Sequence, residues 1–239
     1  MARARRTASA GPLESQARAT LRETARTLAQ LATSAAPAVA AAAEVLVQCF
    51  ENGGTAYFCG NGGSAADAQH FACEFAGRYL VERPGLPAVA LSTNSSALTA
   101  IGNDYGYGDV FSRQLEGLGS PGDVLVAITT SGRSESVRRA VRAAHALGMT
   151  VIGMTGARGG EFAAMCDVAL VSPHAVTPHV QEGHLAMGHA FCLLVERALF
   201  PAAGAAALPG RRAAKPHAPK RRTPGRAAPA RARRPRPSR

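Results

Sequence analysis

The sequence predicts an α/β protein, a three-layer αβα sandwich around a five-stranded parallel sheet, with helices ahead of the sheet and a basic tail behind it. Three observations carry this. Five short runs of continuous apolar residues recur along the chain, the pattern of strands buried on both faces. Helical patterns stand between them, which implies crossover connections and parallel strands. The 239 residues are 46% hydrophobic, enough for one sizeable core.

Each element follows from its own pattern. Between Leu13 and Ala32, the residues Leu21, Ala25, Leu28 and Leu31 recur among Arg and Glu, an amphipathic helix. Pro37 to Phe50 is a second helix, nearly all Ala, Val and Leu, ended by Asn52-Gly53-Gly54. Its small side chains permit close packing, so the pair suits a subunit interface as well as a domain surface. Thr55-Ala56-Tyr57-Phe58 is the first strand. A glycine turn and a further helix follow, with Ser64 as the expected cap. Pro87 to Leu91 is the second strand, Ser92 to Asp104 a loop running into a short helix, and Val110 to Leu118 another helix. Asp123 to Ile128 is the third strand, followed by a hydroxyl-rich loop and a helix to about Leu147. Thr150 to Met154 and Asp167 to Val171 are the fourth and fifth strands, and a long helix from about Pro178 to Phe200 closes the domain. The domain is expected to span 13–208, with 209–239 a separate tail.

The net charge of +11 is unevenly placed. From Pro209 to Arg239 there are twelve Lys/Arg and no acid, whereas residues 1–208 hold fifteen basic residues against all sixteen acids. The folded part is therefore nearly neutral. The tail is Pro, Ala, Arg and Lys without aromatics or periodicity, so it cannot bury enough apolar surface to order itself. With no aromatic residues to stack on bases, it reads as a solvated extension before it reads as a nucleic-acid or polyanion arm. The five cysteines form no Cys-x-x-Cys pair, which suits core thiols in a reducing cytoplasm. No apolar run is long enough to cross a bilayer, and Met1 to Pro12 lacks the apolar segment of a secretion signal.

Chemistry concentrates in three places. Asn61-Gly62-Gly63-Ser64 joins a strand to a helix N-terminus, where tight backbone and free N–H groups can cradle a phosphate. Along that helix His70 and Glu74 stand four residues apart on one face, placed to bind one metal or to move one proton. Thr129-Thr130-Ser131-Gly132-Arg133-Ser134 supplies four hydroxyls and a second helix N-terminus without a Walker lysine, so it holds phosphate without being a nucleotide-hydrolysing loop. In such sheets ligands sit at the carboxyl ends of strands, where both loops lie. The last helix carries Gln181, His184 and His189. Gln181 and His189 are ~12 Å apart along the axis, which makes His184 the easier companion of Gln181. Geometry leaves the two histidines level.

Cys59-Gly60-Asn61-Gly62-Gly63-Ser64, Asp67-Ala68-Gln69-His70-Phe71, Glu74, Gly77-Arg78-Tyr79, Gly102-Asn103-Asp104-Tyr105-Gly106, Phe111-Ser112-Arg113-Gln114, Thr130-Ser131-Gly132-Arg133-Ser134, Gln181-Glu182 and His189 together resemble the phosphoheptose isomerases of the sugar-isomerase (SIS) fold. The resemblance covers roughly residues 13–200, with the motifs in family order. It implies isomerisation of sedoheptulose 7-phosphate to D-glycero-D-manno-heptose 7-phosphate, feeding heptose biosynthesis, in a homotetramer with active sites between subunits. It implies one zinc per subunit on His70, Glu74, Gln181 and His189, which favours His189 over His184. It places the sugar phosphate on Asn61, Gly62, Gly63, Ser64, Asn103, Asp104, Thr129, Thr130, Ser131 and Ser134, with Glu74 and Gln181 also against the substrate. Glu74 and His189 are the expected catalytic pair. The sequence departs from the family at Thr129 (often Ser), Arg133 (often Asn), His179 (often Arg) and Pro178 (acidic in some members), the last removing one possible catalytic auxiliary. Two other readings remain. A non-catalytic SIS protein that binds a sugar phosphate or associates with a replication initiator need not keep the complete metal and proton set found here. A sugar-responsive transcription regulator would need a helix-turn-helix segment, for which the Ala-rich residues before the first strand are too few.

Overall fold

The structure, a computed structural model, describes residues 11–201. The boundary expected at 208 and the tail from 209 lie outside the described residues. Helices α1 (Pro12–Ser34) and α2 (Ala36–Glu51) precede strand β1 (Ala56–Gly60), helix α3 (Gly63–Ala76) and strand β2 (Ala88–Ala90). Helix α4 (Ser95–Asp104), a 3₁₀ turn (Tyr107–Asp109) and α5 (Ser112–Leu118) lead to β3 (Val124–Thr129) and α6 (Glu135–Ala146). Then come β4 (Thr150–Gly156), α7 (Gly160–Ala163), β5 (Val168–Ser172) and α8 (Thr177–Leu199). The five strands are all parallel in the order β2-β1-β3-β4-β5.

The continuous apolar runs divide by alternation, as a sheet covered on both faces requires. Ala56 and Phe58 of β1, with Val124, Val126 and Ile128 of β3, join α2, α3 and α8 in one core. Tyr57 and Cys59, with Leu125 and Ala127, join α5 and α6 in the other. Phe75 is central to the first core, 5.3 Å from Phe50 and 6.2 Å from Phe191 between ring centroids. Burial raises the Cys49 thiol to about 11 and those of Cys59 and Cys166 to about 12, so these are packing groups rather than nucleophiles.

The element boundaries fall close to those read from the sequence, with β1 running on through Cys59 and Gly60 and β4 through Thr155 and Gly156. Two short pieces were not expected. The helix read from Val110 to Leu118 is α5 at Ser112–Leu118, but a 3₁₀ turn at Tyr107–Asp109 precedes it, and Gly160–Ala163 forms a single helical turn. Among the described residues no single helix is long and apolar enough to cross a membrane. α1 is amphipathic, yet it buries only Thr27 and Leu31, while Leu21 stays 69% exposed.

Candidate active site

β1 and β3 are neighbours in register, Gly60 beside Ile128, and the chain leaves them in opposite directions across the sheet. That is the switch point where a crevice opens. After Gly60 the backbone turns through Gly62, which caps α3 at φ +56. The expected capping role of Ser64 is corrected here. Its side chain lies inside the helix, 4% exposed, and makes no cap bond. The Ser64 N–H donates to the Asn61 carbonyl, and those of Ala65 and Ala66 donate to the Gly62 carbonyl. Among the described residues the Gly62 and Gly63 N–H groups have no backbone acceptor and point to the start of α3 as the anion-facing end.

Asn61 ties this turn to the second loop. Its Nδ2 donates to Ser134 Oγ at 2.7 Å and Ser136 Oγ at 2.9 Å, while the Tyr107 hydroxyl donates to its Oδ1 at 2.8 Å. Ser134 is the N-cap of α6, but its hydroxyl is engaged by Asn61 and makes no cap bond, leaving the first turn of α6 open to an anion. Thr129 is buried at the end of β3, and Ser131 Oγ accepts from the Arg133 N–H. Two helix N-termini and a set of hydroxyls thus meet around Asn61. Asn103 and Asp104 stand apart from this network. They are exposed at the end of α4 and bond each other at 2.8 Å.

The second half of the site is built where α3 crosses α8. A side chain at Gly188 would run into the ring of Phe71, so only glycine there lets the helices approach this closely. Phe71 and Phe191 pack edge to face at 5.5 Å across the same contact. The next residue, His189, then meets His70, Nε2 to Nε2 at 2.8 Å, with Glu74 Oε1 3.5 Å from His70 Nε2. One ligand atom from each of His70, Glu74 and His189 falls within 4.8 Å of the others. Burial, then the charge of His70, lowers the proton affinity of His189, against an opposing pull from Glu74. Gln181, two turns earlier on α8, lies against Gly63, where a side chain would strike its amide. It therefore borders the cradle.

His184 is elsewhere. It is fully buried, with neither ring nitrogen hydrogen-bonded. Sequence spacing left it level with His189, and the turn of α8 separates them. A cleft of about 830 Å³ runs past Gly62, Gln69 and His70 toward β2, leaving one side of the site open.

Residues 21–156 match the SIS domain family. Phosphoheptose isomerase of Rhodospirillum rubrum is 54% identical over 164 residues, 69% of this chain and 87% of that protein. The chain belongs to the phosphoheptose isomerase family of SIS-domain proteins. Solved phosphoheptose isomerases superpose accordingly. That of Neisseria gonorrhoeae has a TM-score of 0.73 at 47% identity, covering 77% of this chain and 98% of its own. That of Francisella tularensis has 0.74 at 37%, covering 77% and 97%. Of the positions the phosphoheptose isomerase resemblance assigns to a metal, His70, Glu74 and His189 meet at one point. Sequence reading missed Ser136 and Tyr107, the other partners of Asn61. Ser136 was within reach, two residues beyond the hydroxyl-rich loop, whereas nothing local marks Tyr107 as a cradle residue.

Proposed function

We propose that the chain interconverts sedoheptulose 7-phosphate and D-glycero-D-manno-heptose 7-phosphate, supplying heptose biosynthesis. The observation that carries this is the meeting of His70, Glu74 and His189 beside a lysine-free cradle of hydroxyls and helix N-termini. The phosphate rests on Asn61, Gly62, Gly63, Ser64, Thr129, Thr130, Ser131 and Ser134, while Asn103 and Asp104, exposed at the end of α4, are further substrate contacts that the family resemblance implies. Moving a ketone to the neighbouring carbon requires a proton to leave C1 and arrive at C2 through an enediolate. Glu74 takes the C1 proton and returns it to C2, and His189 carries the proton between the two oxygens. Its depressed proton affinity keeps its imidazole neutral and able to do both.

Two imidazoles and a carboxylate also suit zinc, whose tetrahedral ligands stand roughly 3.3 Å apart. The 2.8 and 3.5 Å separations about His70 Nε2 bracket that spacing. His70, Glu74 and His189 would hold the ion, with Gln181 turning from Gly63 as a fourth donor. When bound, the ion stabilises the developing oxyanion. Metal binding reduces the availability of Glu74 as a base, and the base role ranks first.

The oligomer we infer is a homotetramer with active sites between subunits. Supporting it is an apolar groove of about 400 Å³ between α1, α2 and α8, lined by Leu28, Leu31, Val39 and Met187, with the exposed face of α1 beside it. Five free cysteines support a reducing, cytoplasmic setting.

The test is turnover of sedoheptulose 7-phosphate by the purified protein, before and after chelation and zinc readdition. Wild type is expected to lose activity on chelation and regain it with zinc. Glu74→Gln and His189→Ala should each lower kcat by about 10²–10⁴-fold. A wild type inert under every metal condition would favour the non-catalytic sugar-phosphate binder.

A further inference from the structure

Arg83 and Glu196 form an ion pair in the interior, Nε to Oε1 at 2.9 Å, with side chains only 1% and 3% exposed. Isolated charges at that depth are costly, and such pairs are weak evidence for stability alone. What surrounds the pair indicates its use. Beyond Glu196, the Arg83 guanidinium donates to the carbonyls of Glu74 at 2.6 Å and of Phe75 and Pro84 at 3.0 Å. It thus grips the last turn of α3, the turn that carries Glu74. Glu196 accepts the backbone N–H groups of Tyr79, Leu80 and Val81 at 3.1, 2.8 and 3.2 Å. Burial pushes its carboxyl up, but those N–H groups and Arg83 outweigh this and hold it below the ordinary range. Glu196 lies two turns beyond His189 on α8. The loop it holds sets the Tyr79 ring 5.9 Å from the His189 ring, tilted by 33°.

We propose that Arg83 and Glu196 are positioning residues, a buried clamp that fixes the C-terminal turn of α3 against α8 and so sets the relation of Glu74 to His189. One half of the clamp holds the backbone of the carboxylate, and the other holds the ring that backs the imidazole. Neither touches the phosphate cradle at the ends of β1 and β3. Its failure would therefore fall on the reacting end and leave phosphate binding alone. This inference rests on the proposed isomerase reading.

Arg83→Lys keeps the charge and reaches Glu196, but loses the fork that spans the α3 carbonyls. It is to be compared with wild type as the full chain, at a temperature where circular dichroism shows both folded. The expected result is kcat lower by roughly 10–100-fold and zinc affinity, read by competition with a chromophoric chelator, lower by a similar factor. KM should stay within about twofold, because the cradle is intact. Tyr79→Leu, which leaves the clamp and its charges in place, covers the case in which Arg83→Lys does not fold, and its kcat should fall about fivefold at unchanged KM. A folded Arg83→Lys with wild-type kcat and zinc affinity overturns the proposal, as does a Tyr79→Leu indistinguishable from wild type when Arg83→Lys is unfolded. An inactive wild type would instead sink the isomerase reading, and zinc affinity would still report on the clamp.

Discussion

His184 shows how much burial alone decides for a single side chain. Burial pushes its imidazole down to about 4 from an ordinary 6.5, against a small opposing effect of the Thr155 backbone. The folded state therefore holds it neutral, while the unfolded chain takes up a proton below pH 6.5. Its contribution is fully present above that pH and is lost as the pH falls toward 4. At pH 5 the loss comes to about 2 kcal/mol. Thermal unfolding at pH 7 and pH 5 should show a smaller drop in Tm for His184→Asn than for wild type. An equal drop in both would contradict it. Helix spacing gave no means of telling this histidine from His189, because both sit on α8 at acceptable positions, and only the family resemblance favoured His189. The neighbours differ, with His70 and Glu74 facing one and the protein interior enclosing the other.

At the level of elements, the site depends on how closely α3 and α8 pack. At Gly188 an added side chain would strike the Phe71 ring, so the contact leaves no room there. Gly188→Ala should cost about 1–3 kcal/mol by overpacking against Phe71, and it should move His189 away from His70. The check is denaturant unfolding together with zinc affinity. Adding Phe71→Leu should recover part of both losses, and an additive double variant would argue against the contact. Strands and helices were legible here because apolar runs and helical periodicity are local signals. The Arg83–Glu196 pair was not legible. Arg83 sits between Glu82 and Pro84 in a segment without periodicity, and its partner lies 113 residues away.

For the whole molecule, the described residues carry both the proposed cradle and the proposed reacting groups, and the basic tail lies outside them in the sequence. Deleting Pro209 to Arg239 should leave kcat and KM within about twofold of wild type, since the tail's charge acts at long range and is screened. A large loss of turnover would show that the tail belongs to the active assembly. The exposed apolar face of α1 argues for burial against another copy. Leu21 and Leu28 are 69% and 38% exposed, far more than an amphipathic helix packed within one chain would leave. Leu21→Asp with Leu28→Asp should lower the mass measured by light scattering from that of a tetramer, with a folded subunit by circular dichroism. An unchanged mass would place the interface elsewhere.

The sequence by itself determined the fold class, most strand and helix spans, the glycine- and hydroxyl-rich loops at the carboxyl ends of β1 and β3, and the family. Each of these is written in residues close together in the chain, where periodicity and turn chemistry act. The choice of His189 over His184, which spacing left level and the resemblance favoured, is made physically by the tertiary structure, and only that structure decided that Asn61 joins the two loops and that a buried ion pair lies behind the carboxylate. Those depend on contacts between residues scores of positions apart, and packing of α8 on α3 sets them rather than any local preference.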